Sequence, residues 1–437
     1  MSETIKVRGG VPLKGIITPV PNKNAILAAL PASILTDRAV VYHNVPKSTD
    51  VLKMLEMLRL LGAEVEDTNY DSIKITCKNL KSYTVDQELG NLIRASVMFA
   101  GPLLARMGKA KIPVPGGCVL GKRSIAAHID SLSKAGVKIE LEDGYAVFTA
   151  PKNSESYYNV WQLEASVTAT ENLAMYAAGT DSEIVITDAA SEPHVTQLLE
   201  LLSSMGSHIE GIGSNKLTIK GARKLKGSEF LPEPDHVDIG GLIVAAAITK
   251  GEITIKNCNI SGSCGGIIEW FKKFQIIINE DCEDLIVKGP DKLFIDPYES
   301  GVPLAGENLP KFVPRPWPGF PVDILPVVVT LACKSHGQIL FQNWIYETGL
   351  DFIRELNAMG ANIFMADPQR VIVTGPVKFS GGKHVVPSII QACKAIFLAS
   401  LADDVETTLV GVDILKRRYP SVIEAYRNLG ARIEGPL

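Results

Sequence analysis

The sequence predicts an α/β protein of two domains, each built from three copies of one repeated unit around central apolar helices. Three observations predict this fold. A short pattern of helix end, glycine and strand start recurs along the whole chain, and a helix that is apolar on almost every side precedes each copy. The length, 437 residues, also exceeds what one core supports, since single cores rarely grow past roughly 250–300 residues.

The repeat is marked by glycines that follow an amphipathic helix and precede a β-branched strand start. Glycine ends a helix at this place because it adopts positive φ at little cost. The segment Trp270 to Glu280 is a degenerate sixth copy without the glycine. The five complete copies are LRLLGAEVE, LSKAGVKIE, LSSMGSHIE, LNAMGANIF and YRNLGARIE, which contain Gly62, Gly136, Gly206, Gly360 and Gly430.

Upstream of each copy lies a segment rich in Ala and Gly that lacks a charged face. A helix of this kind is buried on every side. Short β-branched strands follow these helices, and a hairpin closes each unit, so the unit reads α, β, α, β, β. The predicted buried helices are Asn24 to Leu35, Ala95 to Ala105, Val167 to Ala178, Gly240 to Thr249, Ile324 to Cys333 and Ile389 to Leu401.

The marker glycines lie about 70 residues apart, or about twice that where the degenerate copy intervenes. Solenoid repeats usually run about 20–45 residues, so six units of about 70 residues favour two closed pseudo-threefold domains over an open solenoid. The domain break is predicted near Leu231 to His236, where two prolines lie. The strand-like segment Lys6 to Ile17 precedes the first buried helix, and we expect it to complete the sixth unit.

Composition excludes several classes of protein. The net charge of −4 offers no overall attraction for nucleic acid or an anionic membrane, and the longest apolar runs are too short to cross a bilayer. The N-terminal residues lack the pattern of a signal peptide, so a cytoplasmic protein is expected. Seven scattered cysteines without a CxxC pair argue against a zinc ribbon and a disulfide framework.

The most unusual segment is PVPGGCVLGKRS, which presents Cys118 beside Lys122 and Arg123 in a glycine-rich loop. Adjacent cations lower a thiol pKa and raise its reactivity, although a surface loop with an incidental thiol reads the same way. Residues 116–122 also satisfy the phosphate-loop pattern, but Arg123 stands where a Ser or Thr would bind magnesium. A nucleotide triphosphatase is therefore disfavoured.

Three further positions could bind an anion or carry a proton. Lys23 and Asn24 open the first buried helix, and Arg94 opens the second, where backbone amides favour negative charge. A capping Asn beside a solvated Lys is the simpler interpretation. The rigid segment RPWPGFPVD leads to Asp323 at the start of the fifth buried helix, where Asp is a natural cap.

Together these residues resemble the UDP-N-acetylglucosamine enolpyruvyl transferases, members of the EPSP synthase-like superfamily. The resemblance covers nearly the whole chain and is carried by NKNAIL, LIRAS, PGGCVLGKR, SEPHV and WPGFPVD. It implies an inside-out α/β barrel in two domains that close over the substrates. The first domain would comprise residues 1–20 and 236–437, and the second, carrying the Cys118 loop, residues 21–235.

The resemblance also implies the first committed step of peptidoglycan synthesis. The enolpyruvyl group of phosphoenolpyruvate would move to the 3-hydroxyl of UDP-N-acetylglucosamine, with release of phosphate. No metal, cofactor, nucleic acid or membrane is implied, and the oligomeric state stays open. Cys118 would be the general acid, Asp323 the base and Lys23 the third catalytic residue. Substrate contacts would come from Asn24, Arg94, Arg123, Ser166, Val167, Thr168 and Glu347.

The chain departs from the family pattern on the phosphoenolpyruvate side. Gln391 stands where the family carries an arginine for the carboxylate, and a neutral amide cannot replace a guanidinium. Gly349 stands where a second arginine is expected. Lys416 and Arg417 replace an Asp–Arg pair and could supply the missing cation.

It also departs on the nucleotide side. Ala126 stands where the family has an aspartate that reads the uracil, and Glu164 replaces a lysine near the diphosphate. Three hypotheses follow from these differences: an active transferase for UDP-N-acetylglucosamine, a transferase for another acceptor, and a non-catalytic paralogue that binds a sugar nucleotide or a protein.

Overall fold

The computed structural model describes residues 3–114, 125–259, 264–295, 309–346 and 348–436. Within them the chain forms two compact units. Residues 3–20 and 234–436 form the C-terminal unit, and residues 21–233 form the middle unit. Each unit has its own hydrophobic core and three β-sheets.

Six helices lie in the two cores, as the sequence predicts, and two of them, His236–Ile248 and Leu325–Cys333, are buried along their whole length. The second helix begins later than predicted, because Arg94–Phe99 forms a 3₁₀ helix before it. A second 3₁₀ helix of the same length spans Val412–Arg417, and shorter 3₁₀ turns lie at Ser33–Leu35 and Val322–Ile324. The buried helices are Lys23–Ala32, Ala100–Met107, Val167–Ala178, His236–Ile248, Leu325–Cys333 and Ile390–Ala402.

The amphipathic helices end where the repeat predicts. All five marker glycines have positive φ, between 83° at Gly136 and 116° at Gly206. In the degenerate copy the same conformation is taken by Gln275, with φ 62°. These helices are Thr49–Leu61, Ala126–Lys134, Pro193–Ser204, Gly265–Lys272, Ile353–Ala358 and Val422–Asn428, and a further short helix spans Gln87–Leu92.

The middle unit contains three sheets. Each combines one strand that follows a buried helix, an antiparallel hairpin and a parallel neighbour, which in the second sheet is a single bridge from Thr84 to Lys111. In sheet order the strands are Ser228–Phe230, Val40–His43, Ser72–Thr76 and Glu64–Thr68; then Lys109–Pro113, Tyr145–Thr149 and Lys138–Glu142; then Tyr157–Trp161, Glu183–Thr187, Lys216–Lys220 and His208–Glu210.

The C-terminal unit repeats this arrangement, with Lys311–Phe312 as an extra strand beside Ser335–Gln342. In sheet order its strands are Lys14–Ile17, Glu252–Ile255, Asp284–Lys288 and Ile277–Asp281; then Leu293–Phe294, Ser335–Gln342, Arg370–Gly375 and Ile363–Asp367; then Gly382–Val385, Glu406–Val410, Thr4–Arg8 and Arg432–Glu434.

The parallel neighbour of each sheet was not expected from the repeat, and it closes both units. In the middle unit Ser228–Phe230, from the end of the third repeat, pairs with Val40–His43 of the first. In the C-terminal unit Lys14–Ile17 pairs with Glu252–Ile255, while Thr4–Arg8 completes the sixth sheet. A solenoid leaves its first and last repeats unpaired, so both units are closed.

Membrane insertion finds no support in the helices. Among the described residues, none of them combines the length and the apolar character needed to cross a bilayer.

Candidate functional site

The structure places the predicted site residues on two separate units. The middle unit holds Lys23, Asn24, Arg94, Ser166, Val167 and Thr168, and the C-terminal unit holds Asp323. Cys118, Arg123 and Glu347 lie outside the described residues, so their roles stay predictions.

Lys23 is a buried cation at the start of a helix. Its Nζ lies 3.1 Å from Oδ2 of Asp50, and the side chains are only 7% and 5% exposed. The helix is capped by Asn22, whose side chain accepts from the amides of Asn24 and Ala25. The simpler interpretation of a capping Asn24 beside a solvated lysine is therefore wrong, and Asn24 keeps its half-buried side chain for other contacts.

His128 is hydrogen-bonded between Asn172 and Thr168. Oδ1 of Asn172 accepts from the amide of Gly101, so its Nδ2 donates to Nδ1 of His128 at 3.0 Å. The proton of the imidazole must then sit on Nε2, which donates to Oγ1 of Thr168 at 3.0 Å. Burial, and next the positive charge of Arg94, lower the pKa of His128 to about 3. The neutral ring therefore fixes the Thr168 hydroxyl, which retains its own hydrogen for donation.

Ser166, Val167 and Thr168 form the amino-terminal end of the 12-residue helix Val167–Ala178. The first amides of an α-helix have no intrahelical acceptor. Within the described residues the Ser166 side chain makes no capping hydrogen bond, and the first turn contains no acidic residue. All three positions are half-buried, so this end can accept an anionic group from solvent.

The two departures on the nucleotide side are both exposed. Glu164 lies two residues before Ser166, and its backbone carbonyl accepts from the Ser166 amide at 2.6 Å. Ala126 is the first residue of the helix Ala126–Lys134 that carries His128. The carboxylate of Glu164 brings negative charge close to the helix end that could bind an anion.

Asp323 lies in the 3₁₀ turn Val322–Ile324 and is not the cap predicted from the sequence, because Pro321 occupies the capping position. Its side chain is 33% exposed. Oδ1 accepts from the Tyr346 hydroxyl at 3.4 Å, and Oδ2 lies 3.8 Å from Nη1 of Arg418. A carboxylate with one face open and charged and polar groups behind it suits proton abstraction.

Arg418 forms a bidentate ion pair with Asp235, and both side chains are buried. Burial alone would raise the pKa of Asp235, but the guanidinium outweighs it and holds that pKa below its ordinary value. A second ion pair lies nearby, with Lys394 Nζ 3.7 Å from Asp238 and 4.5 Å from the Tyr419 ring centre. Burial lowers the pKa of Lys394.

The departures on the phosphoenolpyruvate side are integrated in the fold. Gln391 is buried, and its Oε1 accepts from the Tyr419 hydroxyl at 3.2 Å. A Cβ at Gly349 would lie 2.1 Å from Nδ2 of Asn343, so a larger residue there requires Asn343 to move.

Lys416, one of the two cations suggested by the sequence, pairs with Glu3 at 2.5 Å. Arg418, the next residue after Arg417, faces Asp323 with its Nη1 at 3.8 Å. The expectation that Lys416 or Arg417 supplies the missing cation stays a prediction.

Three of these residues were missed in the sequence. Asp50 and His128 lie on amphipathic helices, where a polar residue on the inner face is a weak signal, since Ser131 is also buried on the helix that carries His128. Arg418 follows the Lys416–Arg417 pair directly, yet its partner Asp235 is 183 residues away. Chains of hydrogen bonds over such separations leave no local pattern. Within the described ranges, no group of three His, Cys, Asp or Glu side chains could hold a metal ion.

Comparisons with known proteins agree on one family. The family model described as EPSP synthase (3-phosphoshikimate 1-carboxyvinyltransferase) matches residues 7–426. The UDP-N-acetylglucosamine 1-carboxyvinyltransferase of Treponema denticola is 34% identical over 98% of this chain and 98% of its own. The proteins of the same name from Bradyrhizobium diazoefficiens and Treponema pallidum are 35% and 36% identical, each over 98% of this chain and over 97% and 98% of theirs.

Solved structures share the fold at lower identity. The enolpyruvyl transferase NikO from Streptomyces tendae superposes with a TM-score of 0.86 at 18% identity, covering 99% of both chains. EPSP synthase from Acinetobacter baumannii gives 0.74 at 18% identity over the full length of both. The inside-out α/β barrel implied by the family resemblance is thus confirmed as a fold.

Proposed function

Since the chain belongs to the EPSP synthase family of carboxyvinyl transferases, we propose that it transfers the enolpyruvyl group of phosphoenolpyruvate to the 3-hydroxyl of UDP-N-acetylglucosamine. Phosphate is the second product. This reaction serves peptidoglycan synthesis, and so cell wall biogenesis, cell shape and division, and we place it in the cytoplasm. The observation that carries the proposal is the identity of 34–36% over 98% of the chain to relatives named for this acceptor.

The reaction proceeds by addition and elimination. Cys118 protonates the methylene carbon of phosphoenolpyruvate while the sugar oxygen attacks its neighbour, and Asp323 takes the hydroxyl proton. A base then takes a proton from the methyl group, the carbon–carbon double bond forms again, and the carbon–oxygen bond to phosphate breaks, so that inorganic phosphate leaves with the electron pair. The position of Asp323, open on one side and contacted by Tyr346 and Arg418 on the other, supports its role as the base.

The middle unit supplies binding groups. Lys23, Arg94 and Arg123 balance phosphate and carboxylate charge, and Asn24 contacts substrate, as does Glu347 of the C-terminal unit. The amino-terminal amides of the helix at Ser166, Val167 and Thr168 bind the diphosphate, since that helix end has no acidic residue in its first turn. The Thr168 hydroxyl, held by His128, adds a donor.

The test is phosphate release from phosphoenolpyruvate with UDP-N-acetylglucosamine, comparing wild type with Cys118→Ala. We expect turnover in the wild type and a loss of about 10²- to 10⁴-fold in the variant, the usual effect of removing a general acid. Cys282→Ala is the matched control, because Cys282 is an exposed free thiol. A folded wild type that releases no phosphate would contradict the proposal.

A second candidate function is transfer to a different acceptor. It is favoured by the exposed carboxylate of Glu164, two residues before the helix end that would bind a diphosphate. Assaying a series of hydroxyl acceptors under the same conditions decides between the two. A better substrate without a diphosphate would establish the second function and exclude the first.

A further inference from the structure

A buried arginine stands directly behind Asp323. The Arg418 Nε and Nη2 atoms donate to the two oxygens of Asp235 at 2.6 and 2.7 Å. The remaining nitrogen, Nη1, lies 3.8 Å from Oδ2 of Asp323. Arg418 is 4% exposed and Asp235 fully buried, whereas Asp323 is 33% exposed. The three side chains thus lead from the core of the C-terminal unit to the surface.

The orientation of the guanidinium is fixed by its own shape. Arginine presents its donors in a rigid planar fork, so two bonds to one carboxylate set the direction of the third nitrogen. Because Asp235 balances the charge of Arg418, the pair carries no net charge, and its positive end faces Asp323. Removing either partner would leave an uncompensated charge in the core, which is strongly destabilising.

Other groups contact Asp323 from separate elements. The Tyr346 hydroxyl donates to Oδ1 at 3.4 Å, on the oxygen opposite to the one that faces Arg418. His236, next to Asp235, lies close enough for Asp323 to oppose the lowering of its pKa by burial. The carboxylate is therefore held on one oxygen by Tyr346 and on the other by Arg418.

We propose that Arg418 is a positioning residue for the base Asp323, oriented by Asp235 and holding the carboxylate directed outward. This inference rests on the proposed function, in which Asp323 takes the hydroxyl proton. A direct contact of Arg418 with phosphoenolpyruvate does not fit the geometry, because the side chain is buried and two of its nitrogens are bound to Asp235.

The kinetic test compares Arg418→Gln, Arg418→Lys and Lys334→Gln. Lys334 is a matched control, since it forms a part-buried ion pair with Asp403 at 2.8 Å in the same unit. We expect kcat of Arg418→Gln to fall about 10- to 100-fold through misplacement of the base. KM for both substrates should stay within about threefold, because binding contacts are unchanged. Arg418→Lys keeps the charge without the planar fork and should recover part of kcat. Lys334→Gln should have the kcat of the wild type.

A second measurement does not depend on turnover. With ¹³Cγ-labelled aspartate in the full chain, the Asp323 carboxyl resonance is assigned with Asp323→Asn. We expect this resonance to move in Arg418→Gln and to keep its position in Lys334→Gln. If Arg418→Gln does not fold, Asp235→Asn releases the same guanidinium and should move the resonance likewise.

Several results would overturn the inference. The inference is wrong if the Asp323 resonance does not move in folded Arg418→Gln, or if kcat of that variant is unchanged. A loss confined to KM for phosphoenolpyruvate would make Arg418 a binding residue instead. If the wild type itself releases no phosphate, the proposed function fails, while the resonance comparison still decides whether Arg418 positions Asp323.

Discussion

At the scale of single residues, burial of His128 in its neutral state makes the free energy of unfolding depend on pH. The ring is buried, accepts from Asn172 and donates to Thr168, and its pKa lies at about 3 instead of near 6.5. The unfolded chain therefore binds a proton that the folded chain does not, and stability falls as the pH drops below about 6.5. Between pH 7 and pH 5 this group should cost about 2 kcal/mol, measured by urea unfolding at both values.

The control for this prediction is His128→Gln. The Gln amide can accept from Asn172 and donate to Thr168, but it does not titrate. The difference in unfolding free energy between pH 7 and pH 5 should be smaller in the variant by about 2 kcal/mol, the amount expected from His128. An equal drop in both proteins would show that other groups account for it.

The single residues of the site were only partly predictable. Lys23, Arg94 and Asp323 stand out because a charge beside a buried helix start is unusual. Asp50, His128 and Arg418 do not stand out, since each of their side-chain contacts joins segments that only the folded chain brings together. The pair of Arg418 and Asp235, 183 residues apart, is the extreme case.

At the scale of elements, the marker position after each amphipathic helix is defined by its backbone conformation. A Cβ at Gly206 would meet no atom within 4 Å, whereas at Gly62 it would lie 2.8 Å from the Asn79 carbonyl oxygen. We therefore expect Gly206→Ala to cost about 1–2 kcal/mol through positive φ alone. Gly62→Ala should cost more, and urea unfolding measures both.

The degenerate copy allows the reverse substitution. Gln275 is exposed and has φ 62°, so Gln275→Gly relieves the conformation without loss of packing. We expect a gain of about 0.5–1 kcal/mol in unfolding free energy. A loss would mean that the Gln side chain contributes more than its backbone conformation costs.

Elements follow from the sequence wherever the local pattern decides them. Gly62, Gly136, Gly206, Gly360 and Gly430 end their helices because only glycine takes that conformation cheaply. The 3₁₀ helix Arg94–Phe99 was missed because the apolar pattern is the same for both helix types. The parallel neighbour strands were missed because pairing between repeats depends on closure of the whole unit.

At the scale of the whole molecule, two strands from the start of the chain complete two sheets of the C-terminal unit. Thr4–Arg8 pairs with both Glu406–Val410 and Arg432–Glu434, and Lys14–Ile17 pairs with Glu252–Ile255. Ile5 and Val7 lie in the core of the C-terminal unit. Deleting residues 1–17 should abolish cooperative unfolding, because two sheets lose strands and the core loses both side chains.

A circular permutant separates this pairing from chain order. Lys6 lies opposite Glu434 in antiparallel strands, so a short Gly/Ser linker from Glu434 to Thr4 forms an ordinary hairpin loop of about two to five residues. With new ends at Pro21 and Val20, the permutant keeps every strand pair of the C-terminal unit. We expect it to unfold cooperatively in urea with a midpoint close to that of the wild type, whereas the chain lacking residues 1–17 should not. If the permutant does not fold and the shortened chain does, Thr4–Arg8 and Lys14–Ile17 are not required for the C-terminal unit to fold.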